Sequence, residues 1–175
     1  MGIDPDGTAP TVLILGVGNL LLGDDGVGVH VAQSLSTHPP VGLPAGTQIM
    51  DGGTFGLDLA PYLRGVERLV IIDAVEHRAL PGHLQTWRGE DVARIFSHPM
   101  SVHQVGVDAL LGAMQLLGSL PPEVIVVGVQ PADVEPGVGL SDAVAQALPE
   151  LRALVVAAAR GATEAVAHRP TQSSA

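Results

Sequence analysis

Four acidic residues and one histidine lie where strand-like apolar runs end or where a helix begins. Asp24 and Asp25 follow VLILGVGNLLLG, Asp51 ends TQIMD, Asp73 ends RLVIID, and His103 begins HQVGVDALLGAMQLLG. Residues at the carboxyl ends of parallel strands converge on one crevice. Carboxylate oxygens and an imidazole nitrogen are good ligands for a divalent metal. The sequence therefore predicts a metal site made of two carboxylates and one histidine.

Each of these residues also has alternatives. Asp24 or Asp25 could cap the helix that follows, and the residues alone do not choose between the two. Asp51 and Asp73 share the same position at a strand end, so they compete for one role. His103 begins a helix, where the helix dipole disfavours a protonated imidazole and keeps the ring neutral, as a ligand must be.

The other histidines are predicted to have no part in the site. His30 falls within the first helix. His77, His83, His98 and His168 lie in polar stretches and are predicted to be on the surface.

The alternation of strands and helices predicts an α/β fold. We expect a three-layer αβα sandwich, with a mostly parallel twisted sheet of about five strands and helices on both faces. The predicted strands are residues 11–16, 47–51, 67–73, 83–88 (an edge strand) and 123–129. The predicted helices are residues 26–37, 55–64, 90–97, 103–118 and 140–161, the last with Ser141 as its N-cap. Residues 11–161 are predicted to form a single domain between a disordered lead at 1–10 and a disordered tail at 162–175.

Composition excludes several classes of function. The chain has 175 residues, a net charge of −10 and no lysine, which argues against binding to nucleic acid or to an anionic membrane surface. The absence of cysteine excludes a thiolate nucleophile, an iron–sulfur cluster and a cysteine zinc site. No apolar run is long enough to span a membrane, and a cytoplasmic location fits these features.

The glycines after the first strand suggest an alternative. Gly16 and Gly18 resemble the start of a dinucleotide-binding fingerprint, and Asp51 lies where a ribose-binding carboxylate would be expected. The third glycine of that fingerprint would fall at Leu21, and Asp24 and Asp25 would repel a pyrophosphate. A dinucleotide-dependent oxidoreductase is therefore the weaker hypothesis, and the glycines at least shape a tight turn.

Five sequence blocks, in order and covering roughly residues 11–160, resemble the [NiFe]-hydrogenase maturation endopeptidases. Each block alone is weakly specific, but five in register are strongly specific. The blocks are GVGNLLLGDDGVGVHVAQSL, DGGTFGLDL, RLVIIDAV, SVHQVGVDALL and VGVQPADVEPGVGLS.

The resemblance implies an aspartyl-type endopeptidase that removes a short C-terminal extension from the large-subunit precursor of a [NiFe] hydrogenase once nickel has entered that precursor. It assigns Asp25, Asp73 and His103 as both the catalytic and the metal-binding residues. Many members have Glu where Asp25 stands, but Asp still offers an oxygen ligand. The implied substrate-cleft residues are Asn19, Asp24, Asp51, Gly52, Gly53, Thr54 and Gln104.

The implied metal is nickel carried by the substrate, and Zn or Cd could occupy the site in the isolated protein. The metal could act as a Lewis acid or serve only for recognition of loaded precursor. We expect recognition to dominate, with one carboxylate as a possible general base. Besides the oxidoreductase, a non-catalytic precursor or metal chaperone and a related peptidase acting on another precursor stay open.

Overall fold

The computed structural model of the protein describes residues 11–96 and 102–161. Five strands, four α-helices and two 3-10 helices lie in these ranges. The strands are β1 (Val12–Val17), β2 (Thr47–Gly53), β3 (Arg68–Ala74), β4 (Leu84–Arg88) and β5 (Glu123–Val129). The α-helices are α1 (Val27–Thr37), α2 (Glu90–Phe96), α3 (Val102–Leu116) and α4 (Asp142–Ala159), and the 3-10 helices are Gly23–Gly26 and Gly56–Leu63.

The five strands form one sheet in the order β2-β1-β3-β5-β4. β1, β2, β3 and β5 run parallel, and β4 pairs antiparallel with β5 at the edge. From β1 the chain goes to β2 on one side of that strand, and β3 then lies on its other side. The strand order therefore reverses at β1 and β3, which is where an open α/β sheet forms its ligand crevice.

Two hydrophobic cores cover the two faces of the sheet, and the alternation of side chains along each strand divides the apolar residues between them. In β1, Val12 and Ile14 face α1 and α4, whereas Leu13, Leu15 and Val17 face the other layer. That other layer consists of the 3-10 helix Gly56–Leu63 with α2 and α3. Helices thus pack on both faces, as the sequence predicts.

Two glycines allow α1 to lie directly against the sheet. A Cβ atom at Gly28 would be 2.1 Å from the carbonyl oxygen of Ile72 and 2.3 Å from that of Val17. A Cβ atom at Gly16 would be 2.1 Å from the carbonyl oxygen of Gly28. Because no side chain separates these backbones, the segment before α1 is held close to the ends of β1 and β3.

The observed elements follow the predicted ones within a few residues. The stretch predicted as a short helix at 55–64 is a 3-10 helix that contains Pro61, which has no N–H to donate. Ser141 caps α4 as predicted, and its hydroxyl accepts a hydrogen bond from the backbone N–H of Val144. The predicted lead at 1–10 and tail at 162–175 lie outside the described residues. Among the described residues, no helix is long and apolar enough to cross a membrane.

Candidate functional site

Asp25 lies on the 3-10 helix between β1 and α1, and its side chain is completely buried. Its Oδ2 accepts a hydrogen bond of 3.0 Å from the backbone N–H of Asn19. Gly18 has φ of +130°, and a Cβ atom there would be 1.8 Å from the carbonyl oxygen of Asp25. The loop after β1 therefore wraps tightly around Asp25. Gly18 has the turn-forming role that the sequence predicts.

Asp73 is the second completely buried carboxylate, near the carboxyl end of β3. The side-chain amide of Gln104 donates to Asp73 Oδ2 at 3.0 Å and to the carbonyl oxygen of Ala74 at 2.6 Å. Gln104 belongs to the first turn of α3 and is itself only 3% exposed. Gln104 therefore fixes the orientation of the Asp73 carboxylate from within the protein, and the cleft position that the resemblance implies for Gln104 stays a prediction.

The backbone brings the segments that carry these two aspartates together. The 3-10 helix that contains Asp25 packs against β3, and Gly28, three residues after Asp25, meets the carbonyl of Ile72, next to Asp73. His103 precedes Gln104 in the first turn of α3, so the predicted helix-opening position is observed. The His103 side chain lies outside what the structure describes.

Asp24, beside Asp25, is buried for a different reason. Its Oδ2 accepts hydrogen bonds from the Ala132 N–H (2.8 Å), the Asp133 N–H (3.3 Å) and the Ser141 hydroxyl (2.8 Å), and its Oδ1 accepts one from the Ser141 N–H at 2.7 Å. Asp24 thus ties the loop that follows β5 and the start of α4 to the loop that follows β1. Asp24 therefore has a structural part as a tether, and the cleft position that the resemblance implies for it stays a prediction.

The capping alternative is wrong for both aspartates. The N-cap of α1 is Gly26, and no side chain accepts a hydrogen bond at that helix end. The two neighbouring carboxylates therefore differ in their surroundings. Asp24 holds a distant loop, and Asp25 lies on the segment that packs beside β3.

Asp51, which competed with Asp73 on sequence grounds, is exposed on the edge strand β2. Its oxygens accept hydrogen bonds from the Gln33 side chain at 2.9 Å and from the Gly53 N–H at 3.1 Å. The Gly53 carbonyl in turn accepts the N–H of Gly18 at 3.0 Å. Buried Gly52 and exposed Thr54 complete the turn, which borders the loop that surrounds Asp25.

Two histidines predicted to be surface residues form a hydrogen-bonded pair instead. The Nε2 atom of His77 lies 3.0 Å from Nδ1 of His83, and both residues are half-buried. The pair depends on Gln130, which follows β5 and which sequence reasoning missed, because the Gln130 side chain accepts the His77 N–H at 2.9 Å. No local signal shows that contact, since the two residues are 53 positions apart. His98 and His168 lie outside the described residues.

Buried polar side chains are confined to this edge of the sheet. Within the two described ranges they are Asp24, Asp25, Asp73, Gln104 and Gln130. Buried carboxylates cost free energy unless hydrogen bonds or charges compensate, so their concentration beside the crevice makes this edge the candidate functional site.

Two carboxylates could offer oxygen ligands to a hard or borderline divalent ion, or could accept a proton from water. Among the side chains that the structure describes, which leave out that of His103, no group of three histidines and acids is placed to hold a metal ion. A metal bound here would therefore need a ligand from the rest of the chain or from a substrate.

Comparison with known proteins identifies relatives along most of the chain. A family model described as hydrogenase maturation protease matches residues 29–158. The hydrogenase expression/formation protein HupD of Rhodobacter capsulatus is 39% identical over 163 residues, which cover 87% of this chain and 76% of HupD. The hydrogenase 2 maturation protease of Escherichia coli K12 is 35% identical over 157 residues, covering 89% of this chain and 94% of the relative.

Solved structures agree with these sequence matches. The hydrogenase maturating endopeptidase HybD from E. coli superposes with a TM-score of 0.80 at 35% identity, over 88% of this chain and 95% of HybD. The [NiFe] hydrogenase maturation protease HybD from Thermococcus kodakarensis gives a TM-score of 0.66 at 30% identity, over 82% and 95% of the two chains.

Proposed function

Because the chain belongs to the hydrogenase maturation protease family, we propose that Asp25 and Asp73 form the centre of its peptide cleavage. The protein is an endopeptidase, a hydrolase of peptide bonds, that processes the C-terminus of a hydrogenase large-subunit precursor. Which hydrogenase supplies the precursor is a separate question, since family membership identifies only the class of substrate.

The single observation that carries the proposal is the burial of two carboxylates on adjoining segments at the point where the strand order reverses. Asp25 and Asp73 are both completely buried, and the segment of one packs on the strand of the other. Structural carboxylates on this protein are exposed, as Asp51 is, or hold a loop, as Asp24 does. Asp25 and Asp73 are the pair that a substrate group entering the crevice would meet.

Peptide hydrolysis requires a group that accepts a proton. A water molecule adds to the scissile carbonyl carbon, the carbon–nitrogen bond breaks, and the water's proton passes to the departing amine. A positioned carboxylate can take that proton and return it, as a general base and then a general acid. The Gln104 side-chain amide donates to Asp73 Oδ2, so it holds the carboxylate in a fixed orientation for this step.

Nickel enters this proposal as part of the substrate. Oxygen ligands from Asp25 and Asp73, with the imidazole of His103, would leave coordination positions for thiolates or water. Such an incomplete site binds an ion that the precursor already holds better than an ion alone. The protein would thereby bind nickel-loaded precursor in preference to nickel-free precursor. The main role of the metal would be recognition rather than Lewis-acid catalysis. Zn or Cd in the isolated protein, and a cytoplasmic location, stay predictions.

Exposed apolar side chains beside the site support binding of an extended peptide. Phe55 and Leu57 flank Gly56, and Val105 flanks Gly106; all three side chains are more than half exposed. A Cβ atom at Gly56 would be 3.1 Å from the Cα of Gly106, so the two backbones touch. Because Val105 follows Gln104, these apolar side chains lie next to the residue that holds Asp73.

The deciding experiment measures the mass of a cognate large-subunit precursor after incubation with the purified protein. Precursor is supplied nickel-loaded or nickel-free, and the protein as wild type, Asp25→Asn, Asp73→Asn or Asp51→Asn. Asparagine keeps the size of the side chain and removes its charge. The exposed Asp51 is the matched control, because it also lies near the carboxyl end of a strand and accepts two hydrogen bonds.

We expect wild type and Asp51→Asn to shorten only the loaded precursor. Asp25→Asn and Asp73→Asn should lose about 10²-fold to 10⁴-fold in rate, the usual contribution of a general base. Equal cleavage of nickel-free precursor would refute the recognition role, and full activity of both asparagine variants would refute the site. Tight binding without shortening would identify a chaperone.

A dinucleotide-dependent oxidoreductase is not favoured by the family. The place that a pyrophosphate would need, before the first helix, is filled by the buried carboxylates of Asp24 and Asp25. Asp51, the candidate for ribose binding, instead accepts a hydrogen bond from Gln33 of α1.

A further inference from the structure

The connection between β3 and β4 contains a pair of histidines that the proteolytic site does not use. His77 Nε2 and His83 Nδ1 lie 3.0 Å apart, and both side chains are half-buried. The two rings have centroids 5.2 Å apart and are inclined by 52°. Two ring nitrogens that face each other at this distance share one proton, and nitrogens this close can also become neighbouring ligands of one metal ion.

The protonation of His77 is determined by its other ring nitrogen. His77 Nδ1 lies 2.8 Å from the carbonyl oxygen of Val75. A carbonyl only accepts, so Nδ1 carries the proton, and in the neutral ring Nε2 then presents its lone pair to His83. A backbone carbonyl on the second nitrogen is the usual arrangement behind a metal-binding histidine, because it fixes both the tautomer and the ring orientation.

Partial burial disfavours the protonated form of His77. Burial is the main reason that the pKa of His77 is below its ordinary value, and the nearby charge of His83 lowers that pKa further. The Val75 carbonyl and the Glu76 carboxylate act in the opposite direction.

The backbone holds both histidines in place through Gln130. Its side-chain oxygen accepts the N–H groups of His77 (2.9 Å) and Ala79 (3.2 Å). Its backbone N–H donates to the His83 carbonyl at 2.8 Å, and its carbonyl accepts the Gly82 N–H at 2.8 Å. Because one buried residue anchors both ends of the connection, the backbone holds the two imidazoles close together, and only the rings have to turn for both nitrogens to bind one ion.

The separation of the two nitrogens suits a shared metal. Two nitrogens each about 2.05 Å from a metal and 3.0 Å from each other subtend an angle of about 94° at the ion. Angles near 90° are typical of square-planar or octahedral nitrogen sites for Ni²⁺ and Cu²⁺, and Zn²⁺ also accepts imidazole. The net charge of −10 favours a cation over an anion at any accessible site.

We propose that His77 and His83 form a second metal-binding site, which takes a divalent transition-metal ion with water in its remaining coordination positions. The ion replaces the proton between the rings. That proton leaves His83 Nδ1, and His83 takes up another from solvent at Nε2, so both rings stay neutral. The site lies at the same edge of the sheet as Asp73, because His77 contacts the edge of Trp87 (centroids 5.4 Å apart) and Trp87 covers Gly128, the strand partner of Asp73.

The test is a titration of the full chain with Zn²⁺, followed by NMR of the imidazole nitrogens in protein labelled with ¹⁵N at histidine. Zn²⁺ is diamagnetic, so each nitrogen is observed individually and binding at any other place is seen separately. We expect His77 Nε2 and His83 Nδ1 to move together to metal-bound shifts, with the His83 proton appearing on Nε2. The His77 Nδ1 proton should stay in place.

Two variants separate the pair from unspecific binding. His83→Gln should weaken Zn²⁺ binding at His77 by about tenfold or more, since even loss of an outer partner of a ligand costs that much. His38→Gln, which removes an exposed histidine at the end of α1, should leave the titration unchanged. Unchanged His77 and His83 signals in the wild type, or metal-bound shifts at His77 that persist in His83→Gln, would overturn the proposal. The outcome is independent of the cleavage assay, which reads Asp25 and Asp73.

Discussion

The two ends of the parallel sheet use charge in opposite ways. At the carboxyl end, Asp24, Asp25 and Asp73 are buried. At the amino end, Glu123 binds two arginines at the surface, with distances of 2.6 Å to Arg68 Nε and 2.9 Å to Arg88 Nη1. These three side chains are between 27% and 37% exposed. The carboxylates at the carboxyl end are buried, whereas the Glu123 carboxylate at the amino end stays partly solvated beside two arginines.

The difference agrees with the proposed site at the carboxyl end. Arg68 also donates to the Ala159 carbonyl at 3.0 Å, at the end of α4, where a cation is favourable beside the helix dipole. The amino end therefore connects β3, β5, β4 and α4 through partly exposed contacts, in which the charged groups lose little of their hydration. Burying carboxylates costs free energy unless hydrogen bonds or charges compensate, and within the described residues the buried carboxylates lie only at the end that the crevice occupies.

The largest effect on stability is expected at the carboxyl end, from Asp24→Ala. The substitution removes the acceptor of four hydrogen bonds from Ala132, Asp133 and Ser141. Buried donors left without an acceptor cost roughly 1–3 kcal/mol each before relaxation, so a loss of about 3 kcal/mol in the free energy of unfolding is expected. Urea unfolding measures it.

Asp51→Ala is the matched control for that experiment, because Asp51 accepts two hydrogen bonds while exposed. Water can replace its partners, and the expected change is about 0.5 kcal/mol or less, as for most surface substitutions. Equal losses for Asp24→Ala and Asp51→Ala would mean that burial does not distinguish these carboxylates.

Asp24 also illustrates what the sequence can and cannot predict. The strands and helices follow from apolar runs and periodicity, and β5 has the predicted bounds of 123–129. Ser141 was recognisable as a cap, since a serine before a helical stretch has a local function. The partners of Asp24 lie 108 to 117 positions away, and no pattern near Asp24 reveals them. Only the folded topology separates Asp24 from Asp25.

The histidine pair was hidden for the same kind of reason. β4 follows β3 along the chain but pairs with β5, so the connection that carries His77 and His83 crosses the end of β5 and meets Gln130. Spacing in the sequence places both histidines in a polar loop and gives no sign of that contact. The position of Asp73 near a strand end was predictable from the apolar run before it, whereas the choice of Asp25 over Asp24 came only from the family resemblance. The catalytic roles of Asp25 and Asp73 stay a prediction.

A smaller effect is expected at the amino end, from Glu123→Gln. The change removes the charge that faces Arg68 and Arg88 but keeps an oxygen that can accept a hydrogen bond. Exposed ion pairs contribute about 0.2–1 kcal/mol each, so we expect a loss of about 1 kcal/mol at low salt. The difference from wild type should shrink in 1 M NaCl, where the Debye length is only about 3 Å. A loss that salt does not reduce would show that water and ions do not screen the ion pairs of Glu123, contrary to the contrast between the two ends of the sheet.

The smallest expected effect is the contribution of His77 to the pH dependence of stability. His77 is half-buried at the carboxyl end of the sheet. Burial lowers the pKa of His77 below its ordinary value of 6.5, so the folded protein binds this proton less readily than the unfolded chain. Stability is therefore greatest above pH 6.5 and declines as the pH falls from there through the lowered pKa of the folded state. Urea unfolding of wild type and His77→Gln at a series of pH values isolates this contribution, because the variant lacks the titrating ring. The wild type should lose more stability than the variant over this interval, and parallel pH profiles would show that burial leaves the His77 proton equilibrium unchanged.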